Sequence, residues 1–131
     1  DASIEVLHDY CRRTGRRGVA VLGDMLELGS ESGPMHRRVG AHLAYLGVER
    51  LLTIGKGGAQ IALGARQMGM KTDCITRCSD PEEPEKIART LAGILQPGDV
   101  VLFKASRAVG EERIIAALKH MNENQSERSE A

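Results

Sequence analysis

Short apolar runs alternating with stretches of helical periodicity constrain this chain more than any other feature. Val19-Ala20-Val21-Leu22, Leu51-Leu52-Thr53-Ile54 and Val100-Val101-Leu102-Phe103 are each too short for a helix. They are rich in branched residues and end at glycine or polar residues, which predicts buried strands. A weaker fourth run, from Thr72 to Cys78, predicts a short strand between the second and last of these. Helical spacing fills the intervals. Ile4, Leu7 and Cys11 share one face, with Val6 and Tyr10 beside it, and Asp1 or Ser3 is placed to cap the helix. Met35, Val39, Leu43 and Leu46 form a stripe on a helix from about Pro34 to Leu46, where Pro34 suits the first turn. A third helical segment follows Gly55-Lys56-Gly57-Gly58 and runs to about Met68. Ser79-Asp80-Pro81 begins a fourth, with Ile87, Leu91, Ile94 and Leu95 on its apolar face. Gln96-Pro97-Gly98-Asp99 reads as a turn, and Ile114, Ile115, Leu118 and Met121 mark a last helix. Alternation of this kind requires parallel strands with helices on both faces. The expectation is an α/β fold, a three-layer α/β/α sandwich on a mainly parallel sheet of about four strands.

The length of 131 residues fits one domain with a real core. That domain is expected over residues 1–121. Residues 122–131 are polar and charged, so they are expected to fray as a disordered tail. Lys and Arg total 18 and Asp and Glu total 18, a balance that argues against a general nucleic-acid or anionic-membrane binder. One Phe, two Tyr and no Trp leave little for stacking on bases. No apolar run approaches a bilayer span, and no signal peptide is expected. Three cysteines, Cys11, Cys74 and Cys78, are an odd and sparse set that points to a reducing compartment. No His or Cys cluster accompanies Cys74 and Cys78 to complete a metal site.

The chemistry is expected where strands end, because open α/β sheets gather ligands outside the carboxyl ends of their strands. The first strand runs into Gly23-Asp24-Met25-Leu26-Glu27-Leu28-Gly29, which carries two carboxylates. Read from spacing alone, Asp24 caps the next turn and Glu27 is solvated; the competing reading is a ligand site. His36 lies nearby in the first turn of the next helix, where a lone His is more often a capping or surface residue. The last strand runs into Lys104-Ala105-Ser106-Arg107. If all strands are parallel, both polar segments share one rim. Cations there suit a carboxylate and carboxylates suit an ammonium, so the rim fits a small zwitterion. The alternative is a set of surface ion pairs, each worth little. Gly55-Lys56-Gly57-Gly58 reads as a tight strand-helix turn with weak phosphate potential. It is not a Walker A loop, and Gln60 stands where G-x-G-x-x-G needs its third glycine. Arg12, Arg13, Arg16 and Arg17, near the end of the first helix, suit helix-end electrostatics and solvation, with anion binding as the second reading.

Gly23-Asp24-Met25-Leu26-Glu27-Leu28-Gly29, followed by Ser32, His36, Val39 and Gly40, resembles the signature of the C-terminal domain of the MurF branch of the Mur ligase family. Gly98 to Arg107 resembles that family's second signature, and Glu112 falls on its usual glutamate. The similarity covers almost the whole chain before the tail. Ala105 stands where the family usually has glycine, and Glu111 where it usually has an apolar residue. The resemblance implies a Rossmann-like domain whose fourth strand lies beside the first, followed by the second and third. It implies the last domain of a three-domain ATP-dependent ligase in peptidoglycan synthesis. Such ligases phosphorylate the carboxylate of UDP-N-acetylmuramoyl-tripeptide and let the amine of D-alanyl-D-alanine attack the acyl phosphate. ATP and Mg2+ would then be bound mainly outside this chain, by the central ATPase domain. This chain would begin just after the family's opening strand and would be inactive alone. The family is cytoplasmic and binds neither nucleic acid nor membrane. Carried onto this sequence, Asp24, Met25, Lys104, Ser106 and Arg107 would bind substrate, with Arg107 on the dipeptide carboxylate. Glu27, His36 and Glu112 would support the loops. No catalytic residue and no metal ligand is expected in this chain. A stand-alone α/β binding module for a small anion or nucleotide is the second functional reading. A P-loop domain encoded upstream of Asp1 would favour the ligase, and a start codon there the module.

Overall fold

A computed structural model describes residues 2–24, 32–78, 84–105 and 110–130, with residues 123–130 described in backbone only. The five helices among them are α1 (Ala2–Thr14), α2 (Ser32–Tyr45), α3 (Gly55–Gln67), α4 (Pro84–Ala92) and α5 (Glu111–Glu130). The strands are β1 (Gly18–Gly23), β2 (Arg50–Ile54), β3 (Ile75–Cys78) and β4 (Val100–Lys104). All three pairings are parallel and the order is β3-β2-β1-β4. This is the order that the resemblance implies.

Alternation along the strands feeds two cores. Ala20, Leu22 and Leu51 face one way and meet Ile4, Leu7 and Cys11 of α1, Leu43 of α2 and Ile61 and Ala65 of α3. Val19, Val21, Leu52 and Ile54 face the other way and meet Ile87, Ala88 and Leu91 of α4 and Ile114 of α5. β1 is buried along its whole length, because it is covered on both faces and paired on both edges.

Four elements differ from the sequence expectation. α2 starts at Ser32 rather than Pro34, and its buried face is His36, Gly40 and Leu43. Met35 is 39% exposed and Val39 only partly buried. The rotation follows from Gly40, where an added methyl carbon would lie 1.8 Å from the Ile61 carbonyl oxygen of α3. Gly64 of α3 returns the contact, since its methyl would lie 1.9 Å from the Arg37 carbonyl oxygen. The two backbones therefore touch, and the helices are oriented by glycines rather than by the largest side chains. α3 begins at Gly55 with no intervening turn. β3 begins only at Ile75, because Thr72–Cys74 forms a 3-10 turn. α4 covers only Pro84–Ala92, so Ile94 and Leu95 lie beyond it, and its expected start at Ser79 falls outside the described residues. The backbone of α5 is helical to Glu130. Residues 111–130 contain no glycine or proline to end a helix.

Arg17 does more than the helix-end role expected for it. It lies beyond α1, and its Nε and Nη2 both donate to the Asp99 carboxylate, at 3.0 and 2.7 Å. Nη2 also donates to the Ile94 carbonyl at 2.6 Å. Asp99 accepts the Gln96 N–H as well, at 2.8 Å. This side-chain network ties the expected Gln96–Asp99 turn to the start of β1. The cysteines are free thiols, with Cys11 and Cys78 buried.

Candidate functional site

The carboxyl ends of β1 and β4 are neighbours, with Leu22 opposite Lys104 in the register. One residue further the two segments meet: a methyl carbon on Gly23 would come within 3.1 Å of Ala105 Cβ. The segments that begin at Asp24 and at Ala105 therefore leave the sheet side by side.

Asp24 is half-buried, and its Oδ1 accepts the backbone N–H of Gly57, in the first turn of α3. The carboxylate thus sits on the helix N-terminus, where unsatisfied N–H groups and the helix dipole favour negative charge. Asp24 does cap a helix, as spacing suggests, but the helix is α3 rather than the next one in sequence. The signal for this was the Gly55-Lys56-Gly57-Gly58 run, whose glycines make room for the contact. Gly55 has φ +79, and a methyl on it would lie 3.1 Å from Asp24 Oδ2. A methyl on Gly57 would lie 2.3 Å from Asp24 Oδ1 and 2.6 Å from His36 Nε2.

His36 is 1% exposed. Its Nδ1 lies 2.5 Å from the Ser32 carbonyl and 3.1 Å from Ser32 Oγ. A carbonyl can only accept, so Nδ1 carries the proton in that bond and Nε2 faces Gly57. The ring is wedged between the start of α2 and the start of α3. His36 is therefore a buried, hydrogen-bonded residue beneath the rim. Lys104 ends β4 and is partly buried. Glu112 is exposed in the first turn of α5. Met25, Glu27, Ser106 and Arg107 lie outside the described residues.

Among the described residues, the start of α3 is no free phosphate cradle. The glycine-rich N-terminus of α3 already holds a carboxylate, which would repel a phosphate. Among the described residues, no group of three or more His, Cys, Asp or Glu could hold a metal ion. No helix among them is long and apolar enough to cross a membrane.

Comparison with known proteins gives these features a context. Residues 1–107 match the family described as Mur ligase, glutamate ligase domain. The chain is 35% identical over 117 residues to the UDP-N-acetylmuramoyl-tripeptide–D-alanyl-D-alanine ligase of Synechocystis, covering 89% of this chain and 24% of that protein. It is 38% identical over 98 residues to the Bacillus subtilis ligase of the same name, covering 75% of this chain and 21% of the relative. Among solved structures, the MurF ligase of Thermotoga maritima in complex with ADP superposes with a TM-score of 0.68 at 33% identity, over 94% of this chain and 25% of that one. A MurF structure from Acinetobacter baumannii gives 0.67 at 26% identity, over 89% of this chain and 24% of that one. The chain thus spans about a quarter of the length of the relatives it matches. Motif, strand order and matched residues agree: the chain belongs to the Mur ligase family, of which it carries the glutamate ligase domain.

Proposed function

We propose that this chain is the C-terminal domain of a ligase that joins D-alanyl-D-alanine to UDP-N-acetylmuramoyl-tripeptide, at the expense of ATP, in peptidoglycan precursor synthesis. The single observation that carries the reading is the meeting of Gly23 and Ala105. It makes one rim of the two segments whose sequences match the family's signatures. In the overall reaction the tripeptide carboxylate takes the γ-phosphoryl group of ATP and releases ADP. The dipeptide amine then attacks the acyl carbon, expelling phosphate as the amide forms. The relatives' names supply the substrates, and the ADP complex of one structural neighbour supports the use of ATP.

The part of this chain is to bind and orient. Arg107 would take the dipeptide carboxylate through two parallel hydrogen bonds, with Lys104 and Ser106 beside it. Asp24 and Met25 would border the same rim, with Asp24 held by Gly57 rather than aimed freely at substrate. Glu27, His36 and Glu112 would hold the loops. Closure of the domain over the site would exclude water, which would otherwise hydrolyse the acyl phosphate. ATP and Mg2+ would be held mainly by a central ATPase domain, because the α3 N-terminus is occupied by Asp24. The setting would be the cytoplasm, where the nucleotide substrates are found. The same occupancy weighs against a stand-alone module for a phosphate-bearing ligand.

The test is ligation by the intact protein that contains this domain, with ADP release and amide formation measured together. Joining of D-alanyl-D-alanine, but not of a single amino acid, supports the reading. ATP-dependent joining of a different amine would overturn the substrate assignment. The 131-residue chain alone should neither hydrolyse ATP nor ligate.

A further inference from the structure

The opposite end of the sheet, where the strands begin, carries a cavity that the proposed reaction does not use. Its volume is about 330 Å³, at the lower end of the range for small-molecule sites, about 300–1,000 Å³. Leu7, Cys11, Leu46 and Val48 give it an apolar wall. His8 and Arg12, one turn apart on α1, line one side together with Arg16, just past the helix end. Glu49 lines it too, with Oε2 accepting the Gly18 N–H at 2.7 Å. Arg12 and Arg16 make no hydrogen bond or ion pair with any described residue, and none joins either of them to Glu49. Opposite charges thus line one small cavity without neutralising each other.

We propose that this cavity binds a small zwitterion, a free α-amino acid with a short apolar side chain, whose carboxylate meets Arg12 and Arg16 and whose ammonium meets Glu49. Two features select against a plain anion such as phosphate. Glu49 would repel it, and such an anion carries no cationic group to offset that repulsion by pairing with Glu49. The Cys11 thiol adds no charge of its own. Burial pushes its pKa up, and the nearby Glu49 and Asp99 carboxylates push it further the same way, so it stays neutral at ordinary pH. The aliphatic wall, and the absence of side chains at Gly15 and Gly47 in the lining, suit a methyl or isopropyl group rather than a ring. The inference stands independently of the ligase reading, because it uses none of the rim residues.

Titration of the isotopically labelled 131-residue chain by NMR tests it, with L-alanine, D-alanine, L-valine, acetate, methylammonium and inorganic phosphate as separate probes. At least one of the amino acids should shift the amide signals of Gly15, Gly18 and Gly47 saturably. Acetate and methylammonium, each carrying half of the charge pattern, should need at least tenfold higher concentration for the same shift. Arg12→Gln and Glu49→Gln should each weaken the amino acid at least tenfold, as expected when a charged hydrogen-bond partner is removed. Arg12 is exposed, and a glutamine at 49 can still accept the Gly18 N–H, so both variants should fold, as their spectra will show. The proposal is overturned if phosphate shifts these signals at lower concentration than every amino acid. It is equally overturned if no amino acid gives a saturable shift, or if both variants bind as the parent does.

Discussion

Gly57 has room for a hydrogen and nothing more. Replacing it with alanine would force a methyl between Asp24 and His36, at 2.3 and 2.6 Å from their nearest atoms. Overpacking of this kind typically costs about 1–3 kcal/mol. Gly57→Ala should therefore lower the urea midpoint, and adding Asp24→Ala should restore part of the loss by removing one wall. If the double variant is no more stable than the single, the methyl does not meet Asp24. Arg107 belongs to the same scale, and its role rests on the proposed reaction. Losing a hydrogen bond to a charged group costs roughly 1.5–3 kcal/mol. In the intact ligase Arg107→Ala should raise the dipeptide KM by about ten- to a hundredfold, at ~1.4 kcal/mol per factor of ten. The KM for ATP should change far less. Arg107→Lys should recover only part, because an ammonium cannot reproduce the guanidinium fork. An unchanged dipeptide KM removes Arg107 from the site.

Between elements, the α2–α3 contact decides the sign of a familiar substitution. Alanine in place of a helical glycine gains about 1 kcal/mol on propensity alone. At Gly40 the new methyl would meet the Ile61 carbonyl at 1.8 Å, and at Gly64 the Arg37 carbonyl at 1.9 Å. A backbone carbonyl cannot swing aside as a side chain can, so the helices would have to separate. Both variants should be destabilised in denaturant titration, by at least the upper part of the ~1–3 kcal/mol overpacking range; a net gain at either site would mean that the helices do not touch there. The Arg17–Asp99 pair joins two other elements. Burial opposes ionisation of Asp99, yet the Arg17 guanidinium and the Gln96 N–H outweigh it and hold the carboxyl below its ordinary value. A depressed acid contributes stability that is present above the unfolded pKa, near 3.9, and is lost as pH falls through the lower folded value. Unfolding free energy should thus fall below about pH 4. Asp99→Asn should flatten that fall, while itself costing about 1.5–3 kcal/mol at neutral pH, since Arg17 loses its charged partner and keeps the Ile94 carbonyl.

At the scale of the whole molecule, the sheet is covered unevenly. β1 is buried throughout, whereas every residue of β4 is only partly buried and β4 pairs with β1 alone among the described residues. An unpaired strand edge offers free N–H and C=O groups to another chain. The 131-residue chain should self-associate with rising concentration, and sedimentation showing a strict monomer at high concentration would count against it. Amide hydrogens of β1 should exchange at the global unfolding rate and those of β4 faster, because edge elements open locally.

Much of this architecture was legible in the residues. Runs such as Val19 to Leu22 and Val100 to Phe103, punctuated by glycine and alternating with helical spacing, determine parallel strands under helices on both faces. Periodicity and punctuation are local, and the chain writes them directly. The strand order came from motif resemblance rather than from spacing. Where elements meet is not local. Asp24 reaches Gly57 across 33 residues and Arg17 reaches Asp99 across 82. No pattern within either segment announces the other. The sequence shows Gly40 as a weak spot in a helix, and only the crossing of α2 on α3 turns it into the contact that orients both. Composition could say that Asp24 caps something; the tertiary structure decided which helix, because adjacent parallel strands bring the end of β1 beside the start of α3.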